Sequence, residues 1–302
     1  MGRRKSSNNN NINGIVLLDK RVGISSNGAL QEVKRLLGAG KAGHTGSLDP
    51  LASGLLPICM GEATKISSFL LDTDKQYRVS IRLGVKTTTG DVEGDVVEKN
   101  SLESLCVDDI KLVLSRFVGK VSQVPPMYSA LKQDGIRLYE LARKGITVKR
   151  QPRDIFIRKL EYRHYRDGLL DLDVCCSKGT YIRTLAEDIG DALGCGAHVD
   201  TLYRTRVGAF DVSEAISFAE LQTKKESGDV LCCLLPTENA ILSWPVLTLT
   251  EDLVYYLKQG KPVHTPNSPS KGRVRLRNAQ NVFFGIGEML EDGRVAPRRM
   301  LH

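Results

Sequence analysis

Apolar positions along this chain change period several times, and each change marks an element. Ile15 to Leu18 is a short unbroken apolar run, the pattern of a strand buried on both faces. Gly23 ends it. Ser25 and Ser26 follow as helix caps, and Leu30, Val33 and Leu37 then recur at helical spacing. Gly38 to Pro57 is rich in Gly, Pro, Ser and Thr and reads as a loop. It nevertheless carries Leu48, Leu51, Leu55 and Leu56, so the loop is expected to be pinned against the core. Glu62 to Leu71 reads as a helix with Ile66, Phe69 and Leu70 on one side. Tyr77, Val79, Ile81 and Leu83 then alternate with Arg78, Ser80 and Arg82, which predicts a strand with one polar face.

Ser101 to Phe117 again has helical spacing. Ile155 to Tyr162 and Leu170 to Cys175 read as antiparallel strands. Ser177 to Thr180 is a turn, and a helix starts near Tyr181, with Leu185, Ile189 and Leu193 on one face and Gly194 as its stop. Between these lies Val124 to Arg150, irregular and basic. It carries Tyr128, Lys132, Arg137, Tyr139, Arg143 and Lys144, and cations interleaved with tyrosines suit either an ordinary solvated insertion or contact with RNA backbone and bases. Lys224 to Pro245 is mixed. From Val246 onward short strands alternate with turn residues, among them Gly260, Pro262, Pro266, Pro269 and Gly272. The pattern predicts a tail over 1–13, a large domain over 14–245 with an insertion at 124–150, and a small, mostly β domain over 246–302.

Composition agrees with two folded units: 302 residues, 41% of them hydrophobic, exceed one average domain. The Asn-rich basic start lacks an apolar stretch, so it reads as a disordered tail and not as a secretory signal. Gly2 and Ser6 also fit a short myristoylation pattern that is easily matched by chance. No apolar run reaches the ~20 residues of a membrane span. The formal charge of +8 favours a polyanionic partner. The seven cysteines are odd in number and form no C-x-x-C, which argues against a disulfide framework or a zinc site and for a reduced, cytoplasmic protein.

The densest chemistry lies in Gly43-His44-Thr45-Gly46-Ser47-Leu48-Asp49-Pro50-Leu51-Ala52-Ser53-Gly54-Leu55-Leu56-Pro57. Glycines allow another chain to approach closely. Pro50 keeps Asp49 out of helical conformation, beside leucines. From the residues alone Asp49 is either a turn brace or a carboxylate positioned as nucleophile or base.

This stretch resembles the catalytic motif of TruB-type tRNA pseudouridine synthases, and further segments agree in the same order. They are Leu17-Leu18-Asp19-Lys20, Lys75-Gln76-Tyr77-Arg78, Pro126-Met127-Tyr128-Ser129-Ala130-Leu131-Lys132, and Ser177-Lys178-Gly179-Thr180-Tyr181-Ile182-Arg183-Thr184. Gly194-Cys195-Gly196-Ala197-His198 and Gly293 to Arg299 fit the bacterial branch. The resemblance covers the chain from about Gly14 onward. It implies an α+β fold, a mixed-sheet core with a thumb insertion and a small PUA-like C-terminal domain. It also implies conversion of uridine 55 in the tRNA T loop to pseudouridine, without cofactor or metal.

By matched position, the resemblance makes Asp49 the essential carboxylate, whether it attacks C1′ or takes a proton from C2′. Arg183 pairs with it and holds it ionised. Tyr77 stacks on the target base, with its phenol near C5 for proton removal. His44 fills the space left by the flipped base, and Tyr181 supports the pocket wall. Lys20 braces the motif loop, Lys65 contacts phosphate or the active site, and Leu202 is a further substrate contact. The thumb residues Tyr128, Lys132, Arg137, Tyr139 and Arg143 grip the RNA. Arg273, Arg275, Arg298 and Arg299 either track the acceptor stem or serve solubility. A monomer acting on the T stem-loop with no obligate protein partner is expected. A guide-RNA-dependent synthase is the nearest rival, disfavoured because such relatives carry extended basic tails. A tRNA-folding helper is the rival without chemistry, and it makes Asp49 dispensable. A P-loop over Gly38 to Ser47 fails on spacing.

Overall fold

The computed structural model describes residues 12–265, 269 and 271–301. Most of the N-terminal tail, the Gly2–Ser6 pattern and Pro266 lie outside the described residues. Two sheets organise the rest. The larger runs in the order Ile216–Ser217, Gly14–Lys20, Ser53–Met60, Ala197–Val207, Lys75–Leu83, Leu169–Cys176, Arg153–Arg166, Gly119–Gln123, with Ala42–His44 added to Ser53–Met60 and Phe210–Asp211 to Ala197–Val207. Most neighbours are antiparallel. Ser53–Met60 and Ala197–Val207 run parallel, paired through Tyr203 opposite Ser53 and Arg204 opposite Gly54.

The strand patterns follow from the side chains. Gly14–Lys20 sits inside the sheet and is buried along almost its whole length, as its unbroken apolar run requires. In Lys75–Leu83 every second side chain is buried, and Tyr77, Val79, Ile81 and Leu83 join the main core. The helix Ser26–Leu37 lays Ala29, Leu30, Val33 and Leu37 on that core. Its cap is Ser25, which accepts from the Gly28 N–H, while Gly38 at φ 66° ends it.

Several predicted elements change shape. The loop expected over 38–57 is half strand: Leu55 and Leu56 are fully buried in Ser53–Met60, so their apolar character belongs to a central strand. The helix expected over 101–117 spans only Val107–Ser115. Leu102 and Leu105 lie in a turn, and their helical spacing reflects packing onto the core. The helix expected over 62–71 divides into a 3₁₀ turn, Gly61–Ile66, and a short α-helix, Ser67–Leu71. The insertion is more regular than its sequence implies. Lys132–Gln133 and Ile136–Arg137 form a hairpin turning on Asp134 and Gly135, both at positive φ, followed by the helix Leu138–Ala142.

The second sheet runs Val246–Thr248, Gly272–Arg277, Phe283–Met289, Arg294–Met300, Val263–His264. Val254 and Leu257 of the helix Glu251–Lys258 pack on it. The two sheets are joined by Ile66, Ile241 and Ile286, by Phe69 and Trp244 in edge contact at 5.0 Å, and by Arg273 over the Phe69 ring at 4.7 Å. No helix among the described residues is long and apolar enough to cross a membrane.

Candidate active site

Asp49 sits at a turn that the Ala52 N–H closes onto its carbonyl at 3.1 Å. Three separate elements fasten that turn. The Ser26 hydroxyl, buried at the start of its helix, meets the Leu48 backbone on both sides, accepting from its N–H at 2.6 Å and lying 2.9 Å from its carbonyl. Gly23 donates its N–H to the Pro50 carbonyl at 2.8 Å. Arg204 comes from the strand behind. It donates Nε to the Leu55 carbonyl at 2.8 Å, and Nη2 and Nη1 to the carbonyls of Gly46 and Ser47 at 3.1 and 3.4 Å. An arginine this buried is tolerable because its donors are spent on carbonyl oxygens.

Gly54 makes that approach feasible. It lies at φ 96°, and a Cβ there would stand 2.4 Å from the Arg204 carbonyl oxygen and 2.8 Å from its nitrogen.

Arg183 reaches Asp49 from the first turn of the helix Ile182–Ala192, Nε to Oδ2 at 2.9 Å. Its side chain is 5% exposed and that of Asp49 41%, so the pair presents the carboxylate outward from a buried cation. The guanidinium is anchored on every side. Nη1 donates to the Thr89 carbonyl at 3.0 Å, Nη2 to the Tyr128 carbonyl at 2.8 Å, and Nε lies 3.6 Å from Asp91 Oδ2. One cation thus serves two carboxylates. Burial raises the Asp49 carboxyl above its ordinary range, Arg183 partly offsets this, and the negative charge of Asp91 adds to the rise. Asp91 itself is held by the Thr89 hydroxyl at 2.5 Å and the Glu93 N–H at 3.1 Å.

Tyr77 stands directly opposite Arg204 in the sheet, with Val174 on its other side. Burial pushes its phenol up, the facing guanidinium offsetting part of the rise, so it stays protonated at neutral pH. A protonated phenol offers a ring face and a donor more readily than a base. Leu202, paired with Val79 two residues earlier on the same strand, shares that face and is buried in the main core. His44 lies on the strand Ala42–His44 that leads into the Asp49 loop; its Nδ1 is buried without a partner, and burial lowers its pKa.

Lys20 is 1% exposed and donates Nζ to the carbonyls of Arg21 and Ile24 at 2.9 and 2.7 Å. It therefore braces the bend carrying Gly23. Burial lowers it to about 8, against a smaller raising effect of Asp49. Tyr181 is the residue before the Arg183 helix and is half-buried. Lys65 lies on the 3₁₀ turn Gly61–Ile66. Its Nζ binds Glu62 at 2.6 Å and the Met300 carbonyl at 2.9 Å, joining the two sheets.

In the insertion, Lys132, Arg137 and Arg143 are exposed. The Tyr139 ring lies between two guanidinium groups, Arg137 at 5.8 Å and Arg143 at 5.5 Å. Asp91, Arg204 and Gln123, whose amide holds the Tyr181 backbone, were not singled out from the sequence, and Ser26 was read only as a helix cap. Among the described residues, no three His, Cys, Asp or Glu side chains gather to hold a metal ion, and the seven cysteines are free thiols.

Residues 34–182 match the model of the TruB family pseudouridylate synthase N-terminal domain. The chain belongs to the TruB family. Residues 183–242 match the tRNA pseudouridylate synthase B C-terminal domain, and 245–301 the C-terminal model of pseudouridine synthase II TruB. The tRNA pseudouridine synthase B of Nitrosococcus oceani is 53% identical over 303 residues, covering 100% of this chain and 98% of that one. That of Pseudomonas fluorescens strain Pf0-1 is 49% identical over 294 residues, 96% of each chain. Among solved structures, a Cbf5–Nop10–Gar1 complex superposes with a TM-score of 0.73 at 25% identity, covering 95% of this chain and 84% of the other. An H/ACA RNP bound to a substrate RNA containing 2′-deoxyuridine has the same fold, TM-score 0.73 at 24% identity over 96% and 85%. This TruB-family chain is a tRNA pseudouridine synthase, an isomerase that forms pseudouridine in tRNA.

Proposed function

We propose that this TruB-family enzyme converts uridine 55 of the tRNA T loop to pseudouridine, with Asp49 as the carboxylate acting on the flipped nucleotide. The C1′–N1 bond breaks, the base turns, and C1′ joins C5. C5 loses a proton and N1 gains one, so the product is an isomer and every atom is already on the nucleotide. The observation that carries this reading is the Asp49–Arg183 pair, a carboxylate 41% exposed on a cation 5% exposed, held by three elements of the fold. A carboxylate so fixed acts without reorganising at the reacting carbon.

Other residues take supporting roles in this reading. Tyr77 lends its ring to the target base, Tyr181 and Leu202 wall the pocket, and Lys20 braces the loop. The unpartnered Nδ1 of His44 favours a place at the gap left by the base, whose extrusion costs ~a few kcal/mol. Residues 124–150 form the thumb, with the Tyr139 face and its two arginines toward RNA. Residues 246–302 form a PUA-like RNA-binding unit, a division supported by the separate family model over 245–301 and the separate sheet. The enzyme acts in the cytoplasm as a monomer, without protein partners, metal or cofactor.

The test is to incubate the protein and its Asp49→Asn variant with an unmodified tRNA transcript and to map pseudouridine by carbodiimide primer extension. One new stop in the T loop, absent with the variant, is the expected result. A stop at another uridine removes the position assignment, and a stop that survives in Asp49→Asn removes Asp49 from the chemistry.

A further inference from the structure

We infer that Gln123 is a positioning residue for the isomerisation: its buried amide locks the root of the thumb to the backbone that carries Arg183. The inference rests on the reading of Asp49 and Arg183 as the reacting pair. Gln123 ends the edge strand Gly119–Gln123, where the chain leaves the sheet for the insertion. It is 2% exposed, a depth at which a carboxamide must find partners on both its ends. It finds them on one residue. Nε2 donates to the Tyr181 carbonyl at 3.1 Å, and Oε1 accepts the Tyr181 N–H at 2.9 Å.

The amide therefore imitates one rung of a β-ladder, made by a side chain. Tyr181 precedes the helix and its own side chain makes no cap hydrogen bond there. Gln123 thus holds both backbone groups of the residue two before Arg183, whose carbonyl also accepts the Leu185 N–H of the helix at 3.0 Å. Five residues beyond Gln123, the carbonyl of Tyr128 takes Nη2 of Arg183 at 2.8 Å. The root of the thumb grips the same helix start twice, once through Gln123 and once through Tyr128. Any displacement of the thumb root moves the guanidinium against Asp49. Fixing the pair then depends on where the insertion sits.

A carboxylate in place of the amide separates positioning from simple filling of space. In Gln123→Glu the charged side chain can accept the Tyr181 N–H but cannot donate to the Tyr181 carbonyl, which it repels. Protonated, it regains the donor and copies the amide. Burial raises such a carboxyl above its ordinary range, offset in part by Arg153, which stands opposite Gln123 in the sheet, and by Arg183 beside Tyr181.

The experiment measures single-turnover pseudouridine formation on an unmodified tRNA transcript across pH, with tRNA affinity by filter binding in parallel. Wild type, Gln123→Met, Gln123→Glu and Asp49→Asn are compared. Gln123→Met is expected to lose about tenfold or more in the single-turnover rate, with tRNA Kd changed less than about threefold. The rate of Gln123→Glu divided by that of wild type is expected to climb as pH falls. A Gln123→Met enzyme with the wild-type rate overturns the inference, as does a loss confined to tRNA affinity. Should Gln123→Met fail to fold, a Gln123→Glu ratio that stays flat with pH overturns it alone. Activity retained in Asp49→Asn would instead remove the reading of the reacting pair and leave the Gln123 result to stand on its own measurement.

Discussion

Two carboxylates share the Arg183 guanidinium, and only one of them faces outward. Asp91, 5% exposed, contributes charge and anchorage, while Asp49, 41% exposed, is the one the proposed function sets against substrate. Its charge is one cause of the raised Asp49 pKa, so removing it has a defined sign. In Asp91→Asn the Asp49 carboxyl ionises at lower pH. The acid limb of the single-turnover rate, set by ionised Asp49, moves down in pH. The plateau falls by roughly 10- to 100-fold because Arg183 loses an anchor. A limb that stays put or moves up would show that Asp91 does not act on Asp49 electrostatically. Asp49 was legible from Gly43 to Pro57, and Arg183 from its own motif. That the two meet, 134 positions apart, came from resemblance and not from spacing. Asp91 carried only a weak sign, a carboxylate in the turn-rich run Thr87-Thr88-Thr89-Gly90. Ser26 was read as a cap, yet Ser25 is the cap and Ser26 holds Leu48. Side chains that bind distant backbone leave no local period, so reading along the chain passes over them.

At the scale of elements, the parallel contact between Ser53–Met60 and Ala197–Val207 decides how the catalytic loop is held. Arg204 threads three loop and strand carbonyls from behind, and it can stand so close only because Gly54 has no side chain. Gly54→Ala must adopt φ 96° and push the strands apart, at a cost of more than ~1–3 kcal/mol. A lowered urea midpoint together with a reduced rate is expected. An unchanged midpoint would mean that the contact yields freely. Arg204 was not singled out from the sequence; it stands opposite Tyr77 in the sheet and is buried there. The alternation of Lys75–Leu83 and the apolar run of Gly14–Lys20 were readable because each depends on neighbours within one strand. The shorter helix at Val107–Ser115 and the strand hidden in the motif loop were not, since tertiary packing can imitate or overwrite local periodicity.

At the scale of the molecule, charge is the main determinant of encounter. The chain carries a formal +8, and exposed cations stand on the insertion. Phosphate contacts release counterions, so log K for tRNA is expected to fall linearly with log salt. Arg143→Ala should weaken binding alike for different tRNAs and lessen that slope by about 1. A salt-independent affinity would remove the electrostatic account of binding. The two-unit plan, a large sheet followed by a small one after about residue 245, was visible in the change from long elements to short strands and turns. The seam between them was not, since the contacts of Lys65 with Met300 and of Phe69 with Trp244 join residues far apart in the chain.

Under the proposed function, the shared guanidinium also bears on which end of a nucleotide goes in first. Asp49 and Asp91 offset Arg183 and a lysine lowered to about 8, and the remaining cation, Arg204, is turned onto backbone carbonyls, so little positive charge is left to draw an anion inward. A phosphodiester brought to that floor would face carboxylates in a poorly solvated place, where repulsion is least screened. A neutral base and sugar meet no such barrier. On that reading the anionic strand is held at the basic insertion, and the nucleotide descends head first with its backbone left at the rim.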